Sequence, residues 1–148
     1  MPEHPLTKDE LYDKYMRAAM DVLVDMDGTI CEFDYPRFGP PNAGVKEFLY
    51  NIRRLDLRIV VWSSRMSPQH HTAPERAKIV GAIHDYMKFW KLPFDEIDDG
   101  SSGKRLALAY IDDRNCPYAG NWHETLNHLD RIQNMVETKQ QGVREKHV

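Results

Sequence analysis

Four short, almost continuously apolar runs are spaced along this chain of 148 residues. Each run is too short for an amphipathic helix and is bounded by polar or turn-forming residues, which predicts strands that are buried on both faces. The predicted strands are Val22–Val24, Leu57–Trp62, Phe94–Ile97 and Leu106–Ile111.

Apolar residues recur at three- and four-residue steps between and around these runs, which predicts helices. The predicted helices cover residues 7–20, 45–55, 74–90 and the stretch from Asn121 onwards. Thr7 and Glu10 have the spacing of a capping box, and Asn42 is placed to cap the second helix. Alternation of strands and helices predicts an α/β fold, a single three-layer Rossmann-like domain with a mainly parallel sheet.

The length fits one domain that spans residues 1–148. We expect an N-terminal helix over residues 7–20, a core over about 21–138, and a solvated, frayed tail over about 139–148. The hydrophobic fraction is 41%, and no signal-peptide region or long apolar run occurs. These features predict a cytoplasmic protein with no membrane partner, and they leave its oligomeric state open.

Charge and cysteine content exclude two classes of site. The 23 acidic and 20 basic residues give a net charge of −3, which does not support general affinity for nucleic acids. Cys31 and Cys116 have no Cys-x-x-Cys spacing and therefore do not predict a zinc ribbon.

Polar side chains follow three of the four predicted strands. Asp25 and Asp27 follow the first, Ser63 the second, and Asp112 with Asp113 the last. Open parallel sheets bind ligands at the carboxyl ends of their strands, where these side chains would converge. Clustered carboxylates repel one another, and a hard divalent cation such as Mg²⁺ relieves that repulsion. The alternative is that each acid merely caps a helix or turn. This is plausible for a single acid but much less so for the whole set, which follows separate strands in the same way.

The same residues carry a family resemblance. Asp25-Met26-Asp27-Gly28-Thr29 after an apolar strand resembles the first motif of the haloacid dehalogenase superfamily of phosphotransferases. Ser63 resembles the Ser/Thr of the second motif, Lys104 the Lys of the third, and Asp112-Asp113 the acidic fourth, all in the expected order. The resemblance covers roughly residues 21–122 and is closest to small phosphatase-like members without a cap domain.

The resemblance implies a Mg²⁺-dependent phosphomonoester hydrolase. Asp25 would be the nucleophile that forms an aspartyl-phosphate, and Asp27 the general acid and base. Ser63 would bind a phosphoryl oxygen, and Lys104 would neutralise charge on the nucleophile and the transferring group. Lys91 is a weaker alternative to Lys104. The implied metal-binding residues are Asp25, Asp27, Asp112 and Asp113, with Asp112 favoured over Asp113 as the direct ligand.

Further residues are expected to contact or shape the substrate site. Gly28 and Thr29 would let the chain turn sharply after the first motif. Arg65 and Arg114 could equally be solvated, and His70 and His71 could contact substrate or lie on the surface. The expected substrate-binding residues are Gly28, Thr29, Arg37, Ser64, Arg65 and Arg114.

Members of this superfamily carry cap domains either between the first and second motifs or between the second and third. In this chain these intervals run from Asp25 to Ser63 and from Ser63 to Lys104, and predicted core strands, helices and loops fill both. The site is therefore expected to be open, with selectivity from the loops 30–41 and 66–73 or from a partner subunit. The aromatic residues of the first loop could contact substrate or simply anchor the loop. A phosphorylated small molecule is the preferred substrate. The alternatives are a nucleotide or nucleic-acid-end phosphatase, for which the charge gives no support, and a non-catalytic scaffold or regulator.

Overall fold

The computed structural model describes residues 5–18, 20–118 and 120–146. Helices and strands alternate along most of the chain, and a short 3₁₀ helix over Ser64–Met66 follows the second strand. The main elements are α1 (Lys8–Ala18), β1 (Asp21–Asp25), α2 (Val45–Arg54), β2 (Arg58–Trp62), α3 (Ala73–Phe89), β3 (Glu96–Ile97), β4 (Ala109–Ile111) and α4 (Trp122–Lys146). No helix in the described ranges is long and apolar enough to cross a membrane.

The strands form one all-parallel sheet in the order β3-β2-β1-β4. Asp21–Asp25 pairs residue by residue with β2, and Val22–Val24 pairs with β4 on the other side. The strand order therefore reverses at β1, and α/β sheets bind ligands beside such a reversal, at the carboxyl ends of the strands. The predicted α/β class, with a single Rossmann-like domain, is confirmed.

The main hydrophobic core lies on one face of this sheet. Val22 and Val24 of β1 alternate with Leu23, so they share a face that Leu23 does not. They cluster with buried residues of β2 and of the two helices that follow β1 and β2: Ile59, Val61, Leu49, Ile52, Ile83 and Met87. α2 and α3 therefore cover the same face, which leaves the face with Leu23 to other parts of the chain.

An ion-pair network fixes the segment between β3 and β4 against the sheet. Arg105 donates to Glu96 at 2.7 and 2.8 Å and to Asp21 at 3.2 Å. Arg58 also binds Asp21, at 3.0 Å, and Glu96, at 3.3 Å. The hydrogen bonds from Arg105 are the main reason why the pKa of Glu96 lies below its ordinary value. The network ties Arg105 to the starts of β1, β2 and β3.

One of the two helix caps predicted from the sequence is confirmed. The Thr7 amide donates to Glu10 Oε2 at 2.7 Å, and the Glu10 amide donates to Thr7 Oγ1 at 3.2 Å, which forms the capping box of α1. The cap predicted at Asn42 is wrong. Gly44, with φ of 82°, precedes α2, while the Asn42 side chain donates to the Thr29 carbonyl at 2.8 Å. Asn42 thus supports the turn that follows β1.

The structure continues α4 to Lys146, through most of the stretch that was expected to be a solvated, frayed tail. Side chains one turn apart stabilise it here, as Gln133 and Gln141 donate to Glu137 and Glu145, both at 3.2 Å. Ala19 at the end of the first predicted helix, and His147 and Val148 of the predicted tail, lie outside the described residues.

Candidate active site

Three carboxylates converge where β1 and β4 end. Asp25 is the last residue of β1, and Asp112 and Asp113 directly follow β4. Val24 pairs with Ile111, so the parallel strands deliver these acids side by side. One oxygen from each of the three carboxylates lies within 4.8 Å of the others. The convergence expected from the sequence is therefore present for three of the four predicted metal-binding residues.

Burial makes this cluster electrostatically unfavourable. Asp25 is only 9% exposed. Burial is the largest cause of a rise in the pKa of Asp25 to about 8, and the negative charges of Asp112, Asp113 and Asp27 add to it. Burial is also the main cause of the raised pKa of Asp112. A positive charge placed among these oxygens would relieve the repulsion.

The turn after β1 gives the cluster its shape. Gly28 has φ of 85°, which L side chains rarely adopt, and a Cβ there would come so close to Asp113 Oδ2 that the Asp113 side chain would have to shift. Thr29 Oγ1 donates to Asp25 Oδ2 at 3.4 Å and accepts from the Asp113 amide at 3.1 Å. Gly28 and Thr29, predicted to bind substrate, thus join the ends of β1 and β4.

Asp27 lies apart from the cluster and is bound by Arg65. Arg65 donates through Nε to Asp27 Oδ2 at 2.7 Å and through Nη2 to Oδ1 at 2.8 Å. The same guanidinium donates to the carbonyls of Pro36 and Arg37, at 2.6 and 2.8 Å. Arg65, predicted to contact substrate, therefore links Asp27 to the loop that contains Pro36.

Aromatic residues of that loop pack on the same guanidinium. The ring centroids of Tyr35 and Phe38 lie 4.9 and 4.2 Å from Arg65 Cζ, which is within the range of cation–π interactions. Phe38 also packs on Tyr86 of α3, whose hydroxyl donates to the Gly39 carbonyl at 2.8 Å. Phe38 therefore helps to anchor the loop, while Tyr35 contacts Arg65 and is 50% exposed.

Ser63 and Ser64 begin the short 3₁₀ helix after β2. Ser63 is 3% exposed, and its Oγ accepts from the Arg65 amide at 3.1 Å. Ser64, by contrast, is exposed. Ser63 is thus placed at the predicted strand end, where it caps the turn that carries Arg65.

The sequence predicted Lys104 as the lysine near the carboxylates, but in the structure Lys139 contacts them. Lys104 is exposed, and its Nζ lies 5.4 Å from the centroid of the Tyr110 ring. Lys139 of α4 instead donates to Asp113 Oδ2 at 3.2 Å. Sequence reasoning missed Lys139 because it lies in a polar stretch with no local motif, and only the path of α4 brings it to the carboxylates.

The remaining candidates lie at the margin of the site. Arg114 is exposed, and its backbone amide donates to Asp112 Oδ1 at 2.8 Å. The Arg37 side chain forms an ion pair with Asp34 at 3.3 Å. His71 contacts Glu75 of α3 at 3.1 Å, and His70 is exposed, so neither belongs to the carboxylate cluster.

Comparison with known proteins does not place the chain in a family. No family model matches it, and no curated protein matches it. A similar solved structure is that of a conserved protein from Bacteroides thetaiotaomicron, which is 22% identical to this chain. That alignment covers 79% of this chain and 92% of the other, with a TM-score of 0.47. At this level of similarity the likeness carries no argument about activity.

Proposed function

We propose that the protein is a phosphomonoester hydrolase of the haloacid dehalogenase type, with Asp25 as its nucleophile. The observation that carries this proposal is the meeting of the Asp25, Asp112 and Asp113 carboxylates beside the reversal of strand order. The ordered motifs of the sequence support the same reaction, since phosphoryl transfer needs a nucleophile, a proton donor and positive charge near the phosphoryl oxygens.

The donor atoms fit Mg²⁺, which is the metal that the resemblance implies. All three groups are carboxylates, and oxygen is the ligand that this cation prefers in proteins. Asp25 and Asp112 would hold it, while Asp113 already accepts a hydrogen bond from Lys139. The bound ion would supply positive charge that keeps Asp25 ionised and polarises the phosphoryl group.

The chain's own residues account for the bonds made and broken. A carboxylate oxygen of Asp25 attacks phosphorus, and the ester oxygen leaves with its bonding electrons and takes a proton from Asp27. Asp27 then removes a proton from water, whose oxygen attacks phosphorus. The bond between phosphorus and Asp25 breaks, which releases phosphate and restores both carboxyl groups.

Arg65 and Lys139 have supporting roles in this proposal. The two hydrogen bonds from Arg65 hold Asp27 as the anionic partner of an ion pair. The proposed proton transfer therefore requires Asp27 to leave this pair and take up a proton when substrate is bound. Lys139 supplies an ammonium group beside Asp113, in the role that the sequence assigned to Lys104. Both residues act from outside the three-carboxylate cluster.

The test is hydrolysis of acetyl phosphate and of a panel of phosphorylated sugars, nucleotides and polynucleotide ends, with Mg²⁺ and with a chelator. We expect turnover that needs Mg²⁺ and falls at least about a thousandfold in Asp25→Asn, because the nucleophile is lost. Asp130→Asn, an exposed acid on α4, is the matched control and should retain the parent rate. An Asp25→Asn protein as active as the parent would refute the mechanism, and no turnover of any ester would favour a non-catalytic scaffold.

A further inference from the structure

A cavity of about 390 Å³ lies on the sheet face opposite the main core. This volume falls within the usual range of sites for small molecules. Residues of three strands, of the segment between β3 and β4, and of the turn after β4 form its walls. They include Leu23, Trp62, Lys104, Arg105, Tyr110 and Asp112.

The strand register connects this cavity to the carboxylate cluster. Asp25 pairs with Trp62, and Leu23 pairs with Tyr110. Alternate residues of a strand share a face, and paired residues on neighbouring strands do so too, so all four lie on the same face of the sheet. Asp112, two residues beyond Tyr110, belongs both to the cluster and to the cavity wall. A group attached to a phosphate at Asp25 can therefore extend along this face.

The cavity offers aromatic and aliphatic surface. Trp62 and Tyr110 supply the aromatic surface, and Leu23 adds an aliphatic contact. An aromatic group bound there would be removed from water.

The charged side chains of the wall differ in what they can offer a ligand. Arg105 is held by Glu96 and Asp21 and lies 3.5 Å from Asp98, so its charge is balanced within the protein. Lys104 is exposed, with its ammonium group beside the Tyr110 ring. Lys104 is therefore the cation of this wall that is placed to meet an anionic group.

On the basis of the proposed phosphatase activity, we infer that this cavity binds the leaving group of the substrate, and that this group is aromatic and carries an anionic substituent. In the loop 30–41, Phe38 is less suited to that role, because Arg65 and Tyr86 both pack on its ring. The cavity thus supplies, from the sheet itself, the selectivity that a cap domain would otherwise provide.

Three phosphonates, which cannot be hydrolysed, test the inference by calorimetry in the presence of Mg²⁺. They are methylphosphonate, phenylphosphonate and 4-carboxyphenylphosphonate. We expect phenylphosphonate to bind about tenfold or more tightly than methylphosphonate, because its ring is removed from water. The carboxyl derivative should bind several-fold more tightly again.

Variants of the cavity wall identify the site of binding. Lys104→Met, at an exposed position, should remove most of the advantage of the carboxyl group. Trp62→Phe, which replaces the indole by a smaller ring, should reduce the advantage of phenylphosphonate over methylphosphonate. Trp90→Phe, at the end of α3 and outside the cavity wall, is the matched control and should change no affinity. Thermal unfolding of each variant shows whether the fold is retained.

The outcomes separate the two proposals. Equal affinity of the parent for all three phosphonates, together with Mg²⁺-dependent hydrolysis of acetyl phosphate, would overturn the leaving-group site and leave the phosphatase proposal standing. Discrimination that is the same in the parent and in Lys104→Met and Trp62→Phe would also overturn it. Absence of both phosphonate binding and turnover would overturn both proposals.

Discussion

Arg65 holds both carboxylate oxygens of Asp27, at 2.7 and 2.8 Å, with the two side chains only 11% and 12% exposed. Removal of one partner from such a pair leaves an uncompensated charge in a poorly solvated place. We predict that Arg65→Met lowers the free energy of unfolding by about 3 kcal/mol, measured by urea denaturation. Asp27→Asn in the same chain should restore part of this loss, because it removes the unpaired charge.

The double-mutant cycle also separates pairing from packing. Arg65 contacts the rings of Tyr35 and Phe38, so some loss will remain in the double variant. If the losses of unfolding free energy in Arg65→Met and in Asp27→Asn add up to the loss in the double variant, the pair contributes little and the packing of the loop accounts for the effect of Arg65→Met.

The buried charge of Asp25 predicts a pH-dependent stability. Because the pKa is raised from 3.8 to about 8, the folded protein keeps a proton that the unfolded chain releases over this range. Stability therefore falls as pH rises between these values, when no divalent cation is present. Thermal unfolding in chelator should show a fall in Tm that is smaller in Asp25→Asn than in the parent or in Asp130→Asn. Identical pH profiles for the three proteins would contradict the assignment.

Two glycines with similar positive φ angles predict different effects of a substitution by alanine. Gly28 and Gly44 have φ of 85° and 82°, but a Cβ at Gly28 would lie 2.4 Å from Asp113 Oδ2, whereas at Gly44 it meets nothing within 4 Å. Gly44→Ala should show only the backbone cost, about 1 kcal/mol. Gly28→Ala should add displacement of Asp113, seen as weaker activation by Mg²⁺ in a titration of the rate. Equal effects of the two changes on that titration would show that Asp113 moves freely.

For the proposed hydrolase, the hydrogen bond from Lys139 to Asp113 predicts that Lys139 contributes to the rate of hydrolysis. Lys139→Met should lower kcat for acetyl phosphate by about tenfold to a hundredfold, because the cluster loses a positive charge. It should also change the Mg²⁺ concentration that gives half of the maximal rate. Lys46→Met, at an exposed position of α2, is the control. Unchanged Mg²⁺ dependence and rate in Lys139→Met would assign Lys139 a purely structural role.

Strand ends were the most predictable part of the molecule. Continuous apolar runs located β1 and β2 closely, since strands buried on both faces have a strong signal. Three of the four acids at the ends of β1 and β4 were then placed correctly, because parallel strands deliver their carboxyl ends to one edge, while Asp27 is bound by Arg65 instead. The edge strands β3 and β4 are shorter than predicted, at two and three residues, since apolar composition alone does not establish pairing.

Contacts between distant segments were the least predictable part. The sequence shows Arg65 as a basic residue after a strand, which fits exposure to solvent or contact with substrate equally well. Its partners depend on how the loop 30–41 folds back on β2, and that is a tertiary property. Asn42 shows the same limit. Asparagine is common at helix caps, but here its side chain donates a hydrogen bond to the distant Thr29 carbonyl instead.

The length of α4 has a consequence for the order in which the site is made. Asp113 and Lys139 are separated by 26 residues, which a ribosome adds in about 1 to 5 s. A chain that has not been extended to Lys139 contains all three carboxylates of the cluster and lacks the ammonium group that pairs with Asp113. In the order of synthesis, the negative charges of the site therefore come before their counter-charge, and a divalent cation is the group that would balance them in such a shortened chain.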